Sequence, residues 1–195
     1  LWLDGPYDEA TKRNVRLLME RHPKEATDAF YKPLSFGTGG VRGIMGNGTN
    51  RINLYTIRAA TQGLAGYVLK QKAPPHGYSA FIGYDSRRNS RLFAEEAAKV
   101  FAGNGIRAFL CRDIRPTPFV SFGCRYKRCT TAIMITASHN PPEYNGFKVY
   151  WNDGAQVAPP LDQAIASEME KLTSPDAVKT VSSLDNPLIT FVDSE

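Results

Sequence analysis

The chain has 195 residues, 42% of them hydrophobic, and its 24 basic against 19 acidic residues give a net charge of +5. That is enough to bury one core, and the excess suits small anions; the basic residues cluster only at Arg87-Arg88 and 125–128, which speaks against a nucleic-acid surface. Three cysteines, Cys111, Cys124 and Cys129, show neither C-x-x-C nor zinc-finger spacing, and neither a signal peptide nor a bilayer-length apolar run is present, so reduced thiols, cytoplasmic placement and no membrane partner are expected.

In chain order, residues 8–21 read as an amphipathic helix with Val15, Leu18 and Met19 on one side, and 23–30 as a second, shorter helix. Four glycines then fall between Gly37 and Gly43, where backbone can approach an anion closely. The string has neither the Gly-Lys-Ser/Thr ending of a nucleotide P-loop nor G-x-G-x-x-G spacing. Asn53 or Thr56 opens a helix carrying Ile57, Ala60, Leu64 and Val68 at helical spacing, with Pro74-Pro75 as its stop. Residues 78–83 form an apolar strand that delivers Tyr84, Asp85, Ser86, Arg87 and Arg88 at its C-terminal end, the end that lines the ligand crevice in open α/β sheets.

Ser90 is the expected cap of a helix with Phe93, Ala97, Val100 and Phe101 on one face, stopped by Gly103-Asn104-Gly105. A strand follows at 106–111. Thr117-Pro118 reads as a helix start, with the hydroxyl accepting from the first turn. The alternation of strand and helix predicts right-handed crossovers and helices on both faces of a sheet.

The run 132–135 is a short buried strand, and the polar cluster Thr136, Ala137, Ser138, His139, Asn140 follows, closed by Pro141-Pro142. The prolines fix an irregular path that keeps Ser138 out of regular structure. Ser138 beside His139 does not make a hydrolase pair, because triads assemble from sequence-distant groups and G-x-S-x-G is missing. Such a cluster otherwise reads as a turn bonding its own backbone. In 147–151 the alternation Phe147, Val149, Trp151 turns Lys148 to the opposite side, as suits either a cleft or a solvated lysine. Pro159-Pro160 introduces a helix with Leu161, Ile165, Met169 and Leu172, and an apolar piece at 188–192 is a candidate last strand.

The run TASHNPPEYNGFKVY (136–150) resembles the active-site serine loop of the alpha-D-phosphohexomutase superfamily, the phosphoglucomutases and phosphomannomutases. FGTGGVRGIMG (36–46), GYDSR (83–87) and RPTP (115–118) resemble its other N-terminal motifs, in the same order and spacing. The longer string FGTGGVRGIMGNGTNRIN is nearest to the subgroup of phosphopentomutase-like and bacterial phosphosugar mutases. The resemblance implies a three-layer α/β/α domain with a mixed, mostly parallel sheet. It implies a mutase that moves a phosphoryl group between the 1-position and the 5- or 6-hydroxyl of a sugar, through a phosphoserine and a sugar 1,6-bisphosphate.

On the same resemblance, Ser138 carries the phosphoryl group and ligates Mg2+ through its phosphate, Lys148 is the general acid/base, and Arg42 completes the catalytic set. Thr38, Gly39, Arg42, His139, Asn140 and Arg87 are the expected contacts to substrate. Arginine suits that role, being a planar permanent cation that forks onto phosphate oxygens. Full-length relatives have four domains, so residues 1–175 are expected to be the first and 176–195 the exit toward a second. The remaining domains supply the metal loop and the sugar-reading and phosphate-binding loops, and this chain alone is not expected to turn over. The rival expectation is a non-catalytic phosphosugar-binding or scaffolding relative. Retention of Ser138, Lys148 and Arg42 favours the enzyme, since a binding module needs no nucleophile and acid/base together.

Overall fold

The structure is a computed structural model that describes residues 2–193. Its six strands are β1 (Gly40–Ile44), β2 (Ser79–Tyr84), β3 (Arg107–Cys111), β4 (Thr131–Ile135), β5 (Tyr144–Trp151) and β6 (Ile189–Val192). They form one sheet in the order β1-β5-β4-β2-β3-β6. β4, β2, β3 and β6 run parallel, while β5 is antiparallel to both its neighbours, β4 and β1.

Strand alternation sorts the side chains into two cores. Ala80, Ile82, Ala108, Leu110, Ile133, Ile135, Phe147 and Val149 face the larger one, which they share with α3 (Leu54–Val68), α4 (Ser90–Gly103) and α6 (Leu161–Glu170). Phe81, Cys111, Ala132, Met134 and Tyr150 face the other, under α5 (Thr117–Tyr126). Helices on both faces make the expected three-layer α/β/α domain with a mixed, mostly parallel sheet. Phe101 and Leu64 are completely buried in the larger core, and each such side chain contributes about 1.5–3 kcal/mol over leaving it in water.

Several local expectations need correction. The glycine-rich segment runs from Gly40 onward into strand β1, with Val41 turned into the core. Ser90 does not cap α4: the N-cap is Asn89, at φ 64°, and the Ser90 hydroxyl points elsewhere. Pro116 precedes α5, whose first residue is Thr117, and no side chain caps it. α3 ends at Val68, short of Pro74-Pro75. Asn53 does cap α3, accepting from the Thr56 N–H in a capping box. Past 175 the chain lies across the domain, with Val181, Leu184 and Leu188 packed against the larger core before β6 joins β3.

At the N-terminus, α1 (Glu9–Arg21) pairs with α2 (Pro23–Phe30), and the Asp8 carboxylate caps α1. Asp8 accepts from the Thr11 hydroxyl and amide and from Tyr55 Oη, bonds that hold its carboxyl down at about 2. Asp8→Ala should therefore cost about 0.5–2 kcal/mol in urea unfolding at neutral pH. Because the folded value lies below the ordinary 3.8, the contribution is complete above that value and fades as pH falls toward about 2. A gap between wild type and variant that stayed constant down to pH 2 would contradict this assignment.

Candidate active site

The connection 136–143 joins β4 to its antiparallel neighbour β5 and lies at the sheet end where β2 delivers Asp85 and Arg87. Ser138 is exposed there and stands in the left-handed region at φ 58°, a conformation that costs a non-glycine residue on the order of 1–3 kcal/mol. Local bonds hold it. The Ser138 N–H donates to Thr136 Oγ1 (2.9 Å), and the Asn140 N–H donates to the Ala137 carbonyl (3.1 Å). The Ser138 hydroxyl lies 3.4 Å from His139 Nδ1, which is exposed beside it.

Arg87 lies against this loop in a way the sequence did not indicate. Its Nη1 donates to the carbonyls of Pro141 (2.8 Å) and Tyr144 (3.0 Å), and its Nη2 to those of Ser138 (2.8 Å) and Asn140 (2.5 Å). Its Nε is 3.5 Å from Asp85 Oδ2. Placed among the substrate contacts by the sequence, Arg87 thus turns its fork onto loop backbone. Asp85 Oδ1 accepts in turn from the Ser90 hydroxyl (2.7 Å) and the Arg87 amide (3.0 Å). The buried Asn145 donates to Ser90 Oγ and to the Arg88 carbonyl, both at 3.0 Å. Asp85 was placed at the crevice end of its strand without a role of its own, and Ser90 and Asn145 were missed as members of the site. The available signal was Asn145 itself, an asparagine inside a strand run, where its type is disfavoured.

Lys148 and Arg42 share a face of the sheet. Arg42 of β1 is paired with Gly146 of β5, and Lys148 with Gly40, so the two cations sit one cross-strand step apart. Arg42 Nη1 donates to Asn140 Oδ1 (3.1 Å), which ties the strand to the serine loop. Lys148 is half-buried; burial first, and then the Arg42 guanidinium, hold its ammonium below the ordinary lysine value, with Asp85 opposing them. A lysine depressed in this way is closer to exchanging protons near neutral pH. Gly39 lies alongside, its carbonyl accepting from the Val149 N–H (3.0 Å) and Gln156 Nε2 (3.2 Å). Thr38 turns aside, and its hydroxyl donates to Asp162 Oδ2 (3.3 Å).

The structure thus brings Ser138, His139, Asn140, Arg42, Arg87 and Lys148 to one sheet end. A hollow of about 550 Å³ touches this group only at Arg87 and is otherwise lined by Asp85, Ser86, Asn89, Arg91 and Asp113 among others. The larger groove, about 1130 Å³, lies away from the loop, between Trp2, Tyr7, Phe30, Phe36 and Met169. Among the described residues no three His, Cys, Asp or Glu side chains converge as a metal cluster, and no helix is long and apolar enough to cross a membrane.

Residues 33–176 match the family model described as phosphoglucomutase/phosphomannomutase, alpha/beta/alpha domain I. The chain is 39% identical over 181 residues to a phosphopentomutase of Homo sapiens, covering 89% of this chain and 30% of that protein. It is 37% identical over 175 residues to a phosphoglucomutase of Staphylococcus aureus, covering 90% and 31%. The chain therefore spans a little under a third of the length of these curated relatives. A Thermus thermophilus structure assigned as a phosphomannomutase superposes with a TM-score of 0.70 at 25% identity, over 83% of this chain and 33% of that one. The resemblance read from four sequence motifs is thereby borne out, as is the nearness to phosphopentomutases and bacterial phosphosugar mutases.

The pairing of the two cations is open to direct measurement. When the Lys148 side chain is followed by NMR through a pH titration, Arg42→Ala should move its midpoint upward. Loss of the neighbouring cation and entry of water both favour the ammonium form. An unchanged or lowered midpoint would show that Arg42 does not act on Lys148.

Proposed function

This chain belongs to the phosphoglucomutase/phosphomannomutase family, as its alpha/beta/alpha domain I, and on that premise we propose that it carries the phosphoserine half of a sugar-phosphate mutase site. The observation that carries this reading is the convergence of an exposed serine in a braced left-handed loop with a depressed lysine and an arginine on adjoining strands. The whole enzyme interconverts sugar 1-phosphates with their 5- or 6-phosphates by way of a sugar bisphosphate.

In the first half-reaction the bond from phosphorus to Ser138 Oγ breaks, its electron pair staying on the serine oxygen that later attacks in the return step, as a sugar hydroxyl oxygen bonds to the phosphorus. Neutral Lys148 takes the proton of that hydroxyl. The bisphosphate then turns over in the site. Its other phosphoryl group passes to Ser138 Oγ, and the lysine ammonium returns the proton to the departing sugar oxygen. Arg42, a planar permanent cation, spreads charge on the moving phosphoryl oxygens, while Asn140 steadies the Arg42 guanidinium. His139 contacts the phosphoserine from the adjacent position, and the Gly39 backbone borders the sugar phosphate, while the Thr38 hydroxyl is taken by Asp162.

A phosphoserine carries about −1.5 to −2 charges near neutral pH. Magnesium would supply further charge neutralisation at the transferring group. The described residues do not fit that ion by themselves, because they offer it one ligand, the Ser138 phosphate, and no cluster of carboxylates. We assign the other ligands to the second domain that the family implies. In the same reading residues 1–175 form the body of the serine-loop domain, 176–195 add β6 to its sheet before leading on toward the second domain, and the enzyme works in the cytoplasm, where thiols such as Cys111, Cys124 and Cys129 stay reduced.

Incubating the complete gene product with magnesium and a sugar 1,6-bisphosphate should add one phosphate, which peptide mapping locates at Ser138. Failure to phosphorylate Ser138, together with no mutase turnover, would refute the proposal in favour of a binding relative. Ser138→Ala should abolish transfer with the fold retained by circular dichroism. Lys148→Ala should keep substrate binding and slow kcat by a factor of about 100 to 10,000; turnover equal to wild type would return Lys148 to a solvated strand face.

A further inference from the structure

We infer that Arg87 is a positioning residue for phosphoryl transfer, one that sets where Ser138 Oγ stands without touching the sugar. This inference rests on Ser138 being the phosphoryl carrier. Four guanidinium N–H bonds go to the carbonyls of residues 138, 140, 141 and 144, and Nε faces Asp85. An arginine has five such donors; the four on Nη1 and Nη2 are taken by loop carbonyls, and Nε stands 3.5 Å from the Asp85 carboxylate. Two of the four acceptors, the carbonyls of Ser138 and Asn140, bracket His139 and thereby fix the path of the backbone on the C-terminal side of the serine.

The prolines cannot do this by themselves. Pro141 and Pro142 set their own φ angles, but they lie past Ser138, and a proline has no N–H to donate to the loop carbonyls. Arg87 ties the loop to rigid elements. Asp85 at the end of β2, Ser90 at the start of α4 and the buried Asn145 of β5 form one hydrogen-bonded chain beneath it. Only a planar fork reaches four carbonyls at once. A lysine ammonium is a compact point charge with three donors, so Arg87→Lys is not a conservative change here.

The test compares Arg87→Ala, Arg87→Lys and Ser90→Ala in the complete gene product, with Arg88→Ala as the exposed neighbour control. Steady-state kinetics and hydrogen–deuterium exchange over residues 136–145 are read together. For both Arg87 variants kcat should fall about 100-fold, the scale of a misplacement near 1 Å, with KM for the sugar phosphate within about twofold. Exchange at the Ser138 and Asn140 amides should rise in the same variants. Ser90→Ala should show the same signature more weakly, and Arg88→Ala none.

A raised KM with kcat kept would overturn the inference and make Arg87 a substrate contact. Wild-type kinetics or wild-type exchange in the Arg87 variants would overturn it as well. If Arg87→Ala does not fold, as judged by its thermal melt, Arg87→Lys and Ser90→Ala decide by the same two readouts. Wild-type enzyme that never gains phosphate on Ser138 would remove the carrier reading itself. Phosphorylated wild type beside unaffected Arg87 variants would remove only the present inference.

Discussion

Strand β5 lies between two antiparallel partners, and at Gly146 they come so close that no side chain fits. A Cβ there would stand 2.7 Å from the Val41 carbonyl and 2.8 Å from that of Thr136. That close approach lets β1 and β4 flank β5 in a register that places Arg42 across from Gly146 and Gly40 across from Lys148. Glycine at 40 adds a second condition: its φ is 131°, and a Cβ would fall 1.9 Å from the Phe147 carbonyl. The two glycines thus set the separation of the candidate cations. The connection into β5 sets the place of the serine, because residues 136–143 must span the turn between adjacent strands.

The polar residues beneath the serine loop are as fully used as the apolar cores are filled. Asn145 is completely buried and Ser90 with it, and groups so placed cost on the order of 1–3 kcal/mol each when left without partners. Among the described residues no buried side-chain nitrogen or oxygen lacks a hydrogen bond. The chain Asn145–Ser90–Asp85–Arg87 satisfies its own members and, at the same time, carries the loop. Stability and placement of Ser138 therefore draw on the same bonds, and a site of this kind is expected to lose geometry before it loses fold.

Much of the layering was legible from periodicity alone. Residues 132–135 and 78–83 are apolar in large part because both faces of β4 and β2 are covered, and α4 ends where Gly103-Asn104-Gly105 said it would, with Gly105 at φ 75°. β1 was not legible. Only Val41 is turned into the core, and Gly40, Arg42 and Gly43 carry no strand preference; pairing with β5 makes the strand. The hydroxyls of Ser90 and Thr117 looked like caps from local spacing, yet Asp85, just past the end of β2 in the same connection, takes the first and the second caps nothing. Within the site, the motifs located Ser138, His139, Asn140, Arg42, Lys148 and Arg87 in one neighbourhood. They could not say which way a guanidinium turns, because that depends on four carbonyls brought together by the fold.

Charge supplies the last step. Arg42 bonds to an amide oxygen rather than a carboxylate, and Lys148 is held below its ordinary value beside it, so this face carries cationic character with no anion of its own strand pair to balance it. A phosphate on Ser138, or the same group once it has moved onto the sugar, would supply that balance. An acid/base group must be able to take a proton and to return it, and the two demands pull its titration in opposite directions. In the proposed mutase reading, burial and the Arg42 guanidinium favour the neutral amine that would take the proton, while the anionic charge of the transferring group would favour the ammonium that gives it back. A fully solvated lysine would be held as ammonium throughout, and one far from the serine would not feel the phosphate. The half-burial of Lys148 one strand away from Arg42 therefore matters as much as its identity.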